Sequence, residues 1–260
     1  MLLPRRCAVC DQVGPSPCPR CLPRLRRSPP EPVPPIGLDA WASLLAYEGA
    51  ARRLVTGFKY RDDRATLAWL ADGMAALVDP PAGAVVTWAP TSARRRRRRG
   101  FDQAELLARA VARRWGVPCR RLLVRRGPSR PQTGASRSER ETGPRLVAVT
   151  GPRRDLPGAV LRPFISADVA RRGRPGPRSP AGRPQGMPAA AVVVDDVVTT
   201  GATLRAAAEA LRAAGVVSVC ALTAARTARL DAPSRHSVPA FPPGVNKSLK
   251  LAPEPTEYGS

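Results

Sequence analysis

The stretch Ala191–Leu204, with the sequence AVVVDDVVTTGATL, combines the residue types most suited to chemistry in this chain. Three consecutive valines precede Asp195 and Asp196, and such an apolar run is typical of a strand buried on both faces of a parallel sheet. Two carboxylates at the carboxyl end of that strand would lie where open α/β sheets bind ligands. They can accept hydrogen bonds from vicinal sugar hydroxyls. In a simpler alternative, the two aspartates only end the strand.

The residues that follow predict a phosphate-binding turn that leads directly into an amphipathic helix. Backbone N–H groups at the start of a helix attract anions, and threonine hydroxyls add further donors. A diol site followed by a monophosphate site describes a ribose 5-phosphate. The sequence has neither the GxxxxGK[ST] nor the GxGxxG pattern, which argues against the common nucleotide-binding loops. The turn residues are Thr199, Thr200, Gly201, Ala202 and Thr203.

A second chemical signature is a set of four cysteines close to the start of the chain, Cys7, Cys10, Cys18 and Cys21. Two pairs with a spacing of two residues can supply the tetrahedral set of four thiolates that Zn²⁺ takes. Because such a set leaves no coordination position open, we expect a structural zinc ion. Two disulfides are the alternative, but the first residues do not resemble an export signal, which favours a reducing, cytoplasmic compartment.

Strands and helices alternate along the chain, which predicts an α/β fold with a mostly parallel sheet and helices on both faces. The strands are expected at 41–47, 84–88, 122–124, 190–195 and 216–222, with weaker candidates at 146–149 and 159–161. The helices are expected at 49–58, 65–78, 100–116 and 202–214. Asp102 and Glu105 resemble a capping box at the start of the third helix.

Composition shifts divide the chain. We expect a four-cysteine zinc ribbon at 1–27 and a proline-rich linker at 28–40. The main α/β domain would then span 41–230. Within it, 150–188 is rich in glycine, proline and arginine and is expected to be a poorly ordered insertion. Residues 231–260 show no core-forming period and are expected to be a disordered tail.

The chain has 260 residues, of which 43% are hydrophobic, so it can bury a core. No apolar window is long enough to cross a membrane. Lys and Arg number 43 against 20 acidic residues, a net charge of +23. Six consecutive arginines could follow a nucleic-acid backbone, with strongly salt-dependent binding. Alternatively, they reflect the codon preference of a GC-rich genome on a solvated turn. These residues are Arg94, Arg95, Arg96, Arg97, Arg98 and Arg99.

Together these motifs resemble a known family. The VVVDDVVTTGAT segment is similar to the phosphoribosyl pyrophosphate motif of type I phosphoribosyltransferases, and the wider set resembles the ComF competence family. The resemblance covers about residues 5–230, apart from the 150–188 region. Besides the four cysteines and the acidic-threonine segment, it rests on Tyr47-Glu48-Gly49, Phe58-Lys59-Tyr60, Arg99-Gly100-Phe101-Asp102-Gln103-Ala104, Gln132-x-Gly134 and Glu139-Arg140.

The resemblance implies a zinc ribbon on a type I phosphoribosyltransferase fold that binds phosphoribosyl pyrophosphate with Mg²⁺. Asp195 and Asp196 would hold the ribose hydroxyls, and Thr199–Thr203 the 5-phosphate. The segment Ala89-Pro90-Thr91-Ser92, with Thr91 and Ser92 as candidates, would approach the pyrophosphate. The polar loop 125–143 resembles the flexible lid of these enzymes. Its candidate pyrophosphate ligands are Arg130, Arg137 and Arg140.

The expected function is that of a ComF-type phosphoribosyltransferase-like protein, associated with DNA uptake or with nucleotide salvage. In this class a nitrogen nucleophile displaces pyrophosphate at the anomeric carbon. Single-stranded DNA and DNA-uptake proteins are the implied partners. The alternative is a non-enzymatic module that binds single-stranded DNA and uses the same fold as a scaffold.

Several positions depart from the family pattern. Thr199 stands where 6-oxopurine transferases carry an aspartate base, which argues against purine salvage. Pro90-Thr91-Ser92 replaces the usual Pro-Leu-His, and Gly143 replaces an asparagine. No residue stands out as a general base, so the sequence leaves open whether the protein is an enzyme. A gene copy that has lost its activity is a third alternative.

Overall fold

The computed structural model describes residues 4–29, 34–61, 64–126, 144–149 and 186–227. Six strands lie within these ranges. They are β1 (Ala40–Ala46), β2 (Ala84–Trp88), β3 (Leu123–Arg125), β4 (Leu146–Ala148), β5 (Ala190–Val198) and β6 (Ser218–Arg226). Four of them form a parallel sheet with the order β1-β6-β5-β2, while β3 and β4 form a separate antiparallel pair. The prediction of an α/β fold with a mostly parallel sheet is confirmed.

Five α-helices lie within the same ranges, and each follows or precedes a strand as the α/β prediction requires. They are α1 (Gly49–Arg61), α2 (Arg64–Ala75), α3 (Ala93–Arg99), α4 (Gln103–Trp115) and α5 (Ala202–Ala213), with a short 3₁₀ helix at Leu22–Arg24. No helix in the described segments combines the length and the apolar character that a membrane crossing requires.

The side chains of β5 alternate between two cores, one on each face of the sheet. Val192 and Val194 pack in the cluster that contains Leu107 of α4 and buried side chains of α1 and α2. Val193 packs in the other cluster, with Leu204 of α5. Because both faces are covered, β5 is apolar along its buried half, as parallel strands between helices are.

The carboxyl ends of the parallel strands lie at one edge of the sheet, which is here called the ligand edge. β5 and β6 extend further toward this edge than the predicted ends at 195 and 222. Their pairing continues past the two aspartates to Val198 and Arg226. At β2, the N–H of Ala89 still donates to the carbonyl of Val194 at 3.1 Å. The end of β2 therefore lies directly beside the two aspartates.

The arginine run is helical, whereas the sequence predicted no regular element there. Ser92 caps α3, since its Oγ accepts from the N–H of Arg95 at 3.3 Å, and Gly100 ends the helix with φ +80°. The predicted cap of α4 is confirmed for Asp102, whose Oδ1 accepts from the N–H of Ala104. Glu105 does not complete a capping box, because its carboxylate pairs with an arginine one turn later.

Non-strand segments lie along both outer edges of the parallel sheet. On β1, the N–H of Ser28 donates to the carbonyl of Leu44 at 3.1 Å, and Arg27 forms an antiparallel bridge with Leu45. On β2, both backbone groups of Val86 are paired with the segment around Cys119. The segment after the cysteines therefore lies against the sheet rather than apart from it.

Candidate functional site

The ligand edge contains the two aspartates at the end of β5, and both are half-buried. Oδ1 of Asp195 accepts a hydrogen bond from the N–H of Asp196 at 2.8 Å, and Oδ1 of Asp196 accepts one from the N–H of Val197 at 2.7 Å. These local hydrogen bonds fix one oxygen of each carboxylate. A carboxylate offers about four acceptor positions, so each side chain can still bind a hydroxyl or a cation.

The predicted phosphate turn connects β5 to α5 and has the required backbone geometry. Gly201 has φ +75°, a conformation that favours glycine, and it directly precedes the first residue of α5. A Cβ atom at Gly201 would lie 3.1 Å from Cγ of Pro35, so the backbone approaches that proline ring closely. Thr199 and Thr200 are exposed. The N–H of Ala202 donates to Oγ1 of Thr200 at 3.4 Å, and the side chain of Thr199 is exposed, so the turn combines hydroxyl groups with the start of a helix, a combination that suits an anion.

A pocket of about 240 Å³ opens beside this turn and is here called the turn pocket. Thr199–Gly201 and Trp41 form part of its wall, together with Arg205 of α5 and Arg226 at the end of β6. Arg226 is only 6% exposed. Its guanidinium donates hydrogen bonds to Oγ of Ser28 at 3.0 Å and to the carbonyl of Pro29 at 2.8 Å, and it lies over the Trp41 ring. The turn pocket is thus a concavity with two arginines in its wall, beside a turn whose backbone geometry would suit an anion.

On the other side of the aspartates, the segment after β2 is held by a buried carboxylate. Asp102 is 7% exposed, and its Oδ2 accepts from the N–H of Thr91 at 2.9 Å while Oδ1 caps α4. Burial raises the pKa of Asp102, while the N–H donors of Thr91 and the first turn of α4 oppose that rise. Asp102 therefore ties the candidate pyrophosphate segment to α4.

This segment borders a second pocket of about 200 Å³, here called the arginine pocket. Thr91 and Ser92 lie in its wall beside Asp102, and five arginines surround them. These arginines are Arg94, Arg96 and Arg97 of α3 together with Arg121 and Arg125. Burial lowers the pKa of Arg125, and the nearby charge of Arg95 lowers it further. A bound anion would offset the repulsion between these arginines, so this pocket suits a phosphate group.

The rest of the arginine run extends from this pocket into solvent. Arg94–Arg98 are exposed and Arg99 is half-buried, with its guanidinium donating to the side chain of Gln103 at 2.8 Å. The structure therefore brings the nucleic-acid candidates next to the pyrophosphate candidates Thr91 and Ser92.

The four cysteines converge on one point, as the sequence predicts. Their Sγ atoms all lie within 4.8 Å of one another. The sulfurs of Cys10 and Cys18 are 3.7 Å apart. A tetrahedral zinc site with bonds of about 2.3 Å would separate its sulfurs by about 3.8 Å. All six cysteines are free, so the structure favours a metal site over two disulfides. This set can hold a metal ion such as zinc.

The cysteine thiols differ in how readily they ionise. Burial opposes the thiolate of Cys7, but N–H donors of Cys18, Cys10 and Val9 hold the pKa of Cys7 at about 7. Burial and the neighbouring thiols raise the pKa of Cys21 to about 12. A metal ion must displace these protons, so its affinity rises with pH.

The cysteine segment packs closely on α1 and α2. A Cβ atom at Gly57 would lie 2.8 Å from Cβ of Ala8, so only glycine permits this approach. The hydroxyl of Ser16 accepts from the N–H of Ala8 and is hydrogen-bonded to Thr66 of α2, with 2.6 Å between the oxygens. The metal site is therefore a part of the same packed body as the sheet.

The structure brings together Asp195, Asp196, the residues 199–203, and Thr91 with Ser92, all at the ligand edge. Arg130, Arg137 and Arg140 lie outside the described residues. Four arginines in the walls of these pockets were not predicted from the sequence: Arg121, Arg125, Arg205 and Arg226. The sequence did contain a signal for Arg125 and Arg226, because each is the last residue of an apolar strand, β3 and β6 respectively.

No protein-family model matches the chain, and no curated protein matches it. The interpretation of the site therefore depends on its own geometry.

Proposed function

We propose that this protein binds phosphoribosyl pyrophosphate with Mg²⁺ at the ligand edge, as a ComF-type phosphoribosyltransferase-like protein with a type I phosphoribosyltransferase fold and a structural zinc ion. One observation carries the proposal. The turn pocket lies at the ends of β5 and β6, the arginine pocket lies at the end of β2, and β5 with its two aspartates lies between β6 and β2 in the sheet. A sugar with a phosphate at one end and a pyrophosphate at the other matches this order of groups.

Each part of the ligand has a set of suitable residues. The 5-phosphate would accept hydrogen bonds from the turn Thr199–Thr203. Asp195 and Asp196 would accept from the ribose hydroxyls. The pyrophosphate would lie against Thr91 and Ser92, with Arg125 and the arginines of α3 balancing its charge. Mg²⁺, when bound, would offset part of the charge of the pyrophosphate.

The same arrangement suits pentosyl transfer from phosphoribosyl pyrophosphate to a nitrogen nucleophile. The nitrogen would form a bond to the anomeric carbon as the bond to pyrophosphate breaks, and the pyrophosphate would leave with the electron pair. Arg125 and the arginines of α3 would stabilise the charge that develops on the leaving group. The carboxylates would stabilise the positive charge that develops on the sugar. Positioning and electrostatics would supply the rate enhancement.

The test is calorimetric titration of the zinc-loaded protein with phosphoribosyl pyrophosphate, with and without Mg²⁺. We expect Mg²⁺-dependent binding that falls at least about tenfold in the double variant Asp195→Asn/Asp196→Asn, because hydrogen bonds to charged groups contribute about 1.5–3 kcal/mol each. Asp79→Asn is the matched control, since Asp79 is exposed and precedes β2 at the opposite edge of the sheet. Equal affinity in the double variant and the wild type would refute the proposal.

The exposed arginines favour a second candidate function, the binding of single-stranded DNA. Five of the six arginines of α3 are exposed on a single helix, so they form a cationic surface that a phosphate backbone could follow. This surface would link the protein to DNA uptake, with phosphoribosyltransferase geometry serving as a scaffold. The two functions are compatible, because the arginine pocket and the exposed run adjoin each other.

A further inference from the structure

Three buried polar side-chain atoms lack a hydrogen-bond partner within the segments that the structure describes. They are Nε1 of Trp41, Oγ of Ser43 and Oγ1 of Thr223. Thr223 is completely buried. A buried polar group without a partner costs free energy, and such groups are rare in folded proteins. All three lie on the neighbouring strands β1 and β6, so their common location needs a physical reason.

The strand register connects these groups to the candidate site. Ser43 of β1 lies opposite Thr223 of β6, and Thr223 lies opposite Asp195 of β5. Residues in register on parallel strands point to the same face of the sheet. Ser43 and Thr223 are here called the hydroxyl row. The row leads across two strands to the first aspartate of the proposed ligand site.

The face of the sheet on which the row lies is set by its neighbours. Ala221 and Trp41 lie two residues before Thr223 and Ser43; Ala221 packs in the cluster that contains Leu204 of α5, and Trp41 packs against the same cluster. The alternation of side chains along each strand then places the hydroxyl row on the α5 side. This is the side on which the phosphate turn enters its helix.

Another buried threonine of the same sheet shows the ordinary arrangement. Thr87 of β2 is also completely buried, but its Oγ1 accepts from the N–H of Leu122 at 3.2 Å. Its hydroxyl therefore satisfies a backbone group and has a structural role. Thr223 has no such role in the described part of the chain.

We propose that Thr223 is a positioning residue for Asp195, whose carboxylate accepts a hydrogen bond from the Thr223 hydroxyl when the ligand is bound. Ser43 then lies behind Thr223 and can donate to its oxygen in turn. The donor would hold the carboxylate in the orientation that the ribose hydroxyls and Mg²⁺ require. This inference depends on the proposed function, since the role of Thr223 is to orient a ligand-binding group.

The proposal predicts opposite effects on stability and on binding for Thr223→Val. Valine has nearly the same shape as threonine but has no hydroxyl, so the variant removes an unsatisfied buried group. We expect its denaturant midpoint to be equal to or higher than that of the wild type. We expect its Mg²⁺-dependent affinity for phosphoribosyl pyrophosphate to fall about tenfold, as the loss of one hydrogen bond to a charged group would cause. Thr223→Ser keeps the hydroxyl and should retain most of that affinity.

Thr87→Val is the matched control because it makes the same chemical change at a buried threonine with a structural partner. It leaves the N–H of Leu122 without its acceptor. We therefore expect a lower denaturant midpoint and an unchanged affinity for the ligand. Thr223→Val should thus lower the affinity without lowering the denaturant midpoint, whereas Thr87→Val should lower the denaturant midpoint without lowering the affinity.

The outcomes separate this inference from the proposed function. If the wild type binds the ligand and Thr223→Val binds it equally well, the positioning role is wrong and the proposed function stands. If Thr223→Val lowers the denaturant midpoint as Thr87→Val does, the hydroxyl has a structural partner and the inference is also wrong. If the folded, zinc-loaded wild type does not bind the ligand, both the proposed function and the inference are wrong.

Discussion

The turn pocket and the arginine pocket lie at the same edge of one sheet, yet they offer different kinds of groups to an anion. The turn pocket depends on backbone N–H groups of a turn whose shape is fixed by Gly201 and by its contact with Pro35. The arginine pocket depends on long side chains from α3 and from the segment around β3. Backbone N–H groups in a fixed turn would bind an anion with defined geometry. Flexible arginine side chains would attract an anion mainly through their charge, and salt screens this attraction.

The two pockets also differ in their connection to the cysteine segment. Ser28 and the residue after it hold the guanidinium of Arg226, and Pro35 lies against Gly201, so the chain just after the cysteines forms part of the turn pocket. None of the residues that line the arginine pocket belongs to that part of the chain. The comparison therefore predicts that the two pockets respond differently to the same perturbations.

Removal of the metal should have the largest effect and should act mainly on the turn pocket. The residues just after the cysteines hold Arg226 and contact Gly201, so loss of the metal should release them from the turn pocket. We expect that Cys10→Ser/Cys18→Ser abolishes zinc binding, measured by elemental analysis, and greatly weakens binding of ribose 5-phosphate. Binding of a single-stranded oligonucleotide should be much less affected. Cys119→Ser is the control, because Cys119 lies outside the four-cysteine set. Equal losses for both ligands would contradict the predicted asymmetry.

Replacement of the six arginines of α3 should selectively weaken the binding of a single-stranded oligonucleotide. Each phosphate contact adds roughly 0.7 to the slope of log affinity against log salt concentration for single strands, so six contacts would lower the affinity roughly 300-fold between 50 and 200 mM salt. The variant with Arg94–Arg99 changed to Gln should lose most oligonucleotide affinity and most of this dependence, as measured by fluorescence anisotropy.

The control for charge alone is Arg52→Gln/Arg53→Gln, since these arginines are exposed on α1. It should retain nearly all of the oligonucleotide affinity. If the six-residue variant binds as tightly as the wild type, α3 is a solvated helix without a role in DNA binding.

Gly201→Ala should act on the turn pocket and cost about tenfold in affinity for ribose 5-phosphate. The added Cβ meets the Pro35 ring and is strained at φ +75°. Gly116→Ala is a matched control, because Gly116 has φ +65° but no atom within 4 Å of the added Cβ. Both variants should lose about 1–2 kcal/mol of stability through backbone strain. Only Gly201→Ala should weaken ligand binding in a calorimetric titration.

The smallest effect should be a pH dependence that comes from Asp102 beside the arginine pocket. Burial raises its pKa above the ordinary value of 3.8, so the folded protein binds the proton more tightly than the unfolded chain. Stability should therefore fall as pH rises from about 3.8 to the raised value, and then remain constant with respect to this group. Asp102→Asn should remove this component in urea unfolding measured across that range. An unchanged pH profile in Asp102→Asn would show that burial does not raise the pKa of this carboxyl group.

The sequence predicted the turn side of the ligand edge better than the arginine side, and the reason is physical. Asp195, the turn and α5 are consecutive, so local patterns define their arrangement. The contact between Asp102 and Thr91 depends on how a loop meets a helix start eleven residues later. The positions of Arg125 and Arg226 depend on which strand ends meet at one edge. Register between strands, which also creates the hydroxyl row, is not encoded in local periodicity.

The covered outer edges of the sheet have a consequence for assembly. On β2, the N–H and carbonyl of Val86 are both paired with the segment around Cys119, and on β1 the segment around Ser28 occupies the carbonyl of Leu44 and the N–H of Ala46. Exposed strand edges invite pairing with another chain. Here, growth of the sheet by strand addition is blocked at these positions on both sides. A second copy or a partner protein that adds a strand to the parallel sheet would first have to displace these segments.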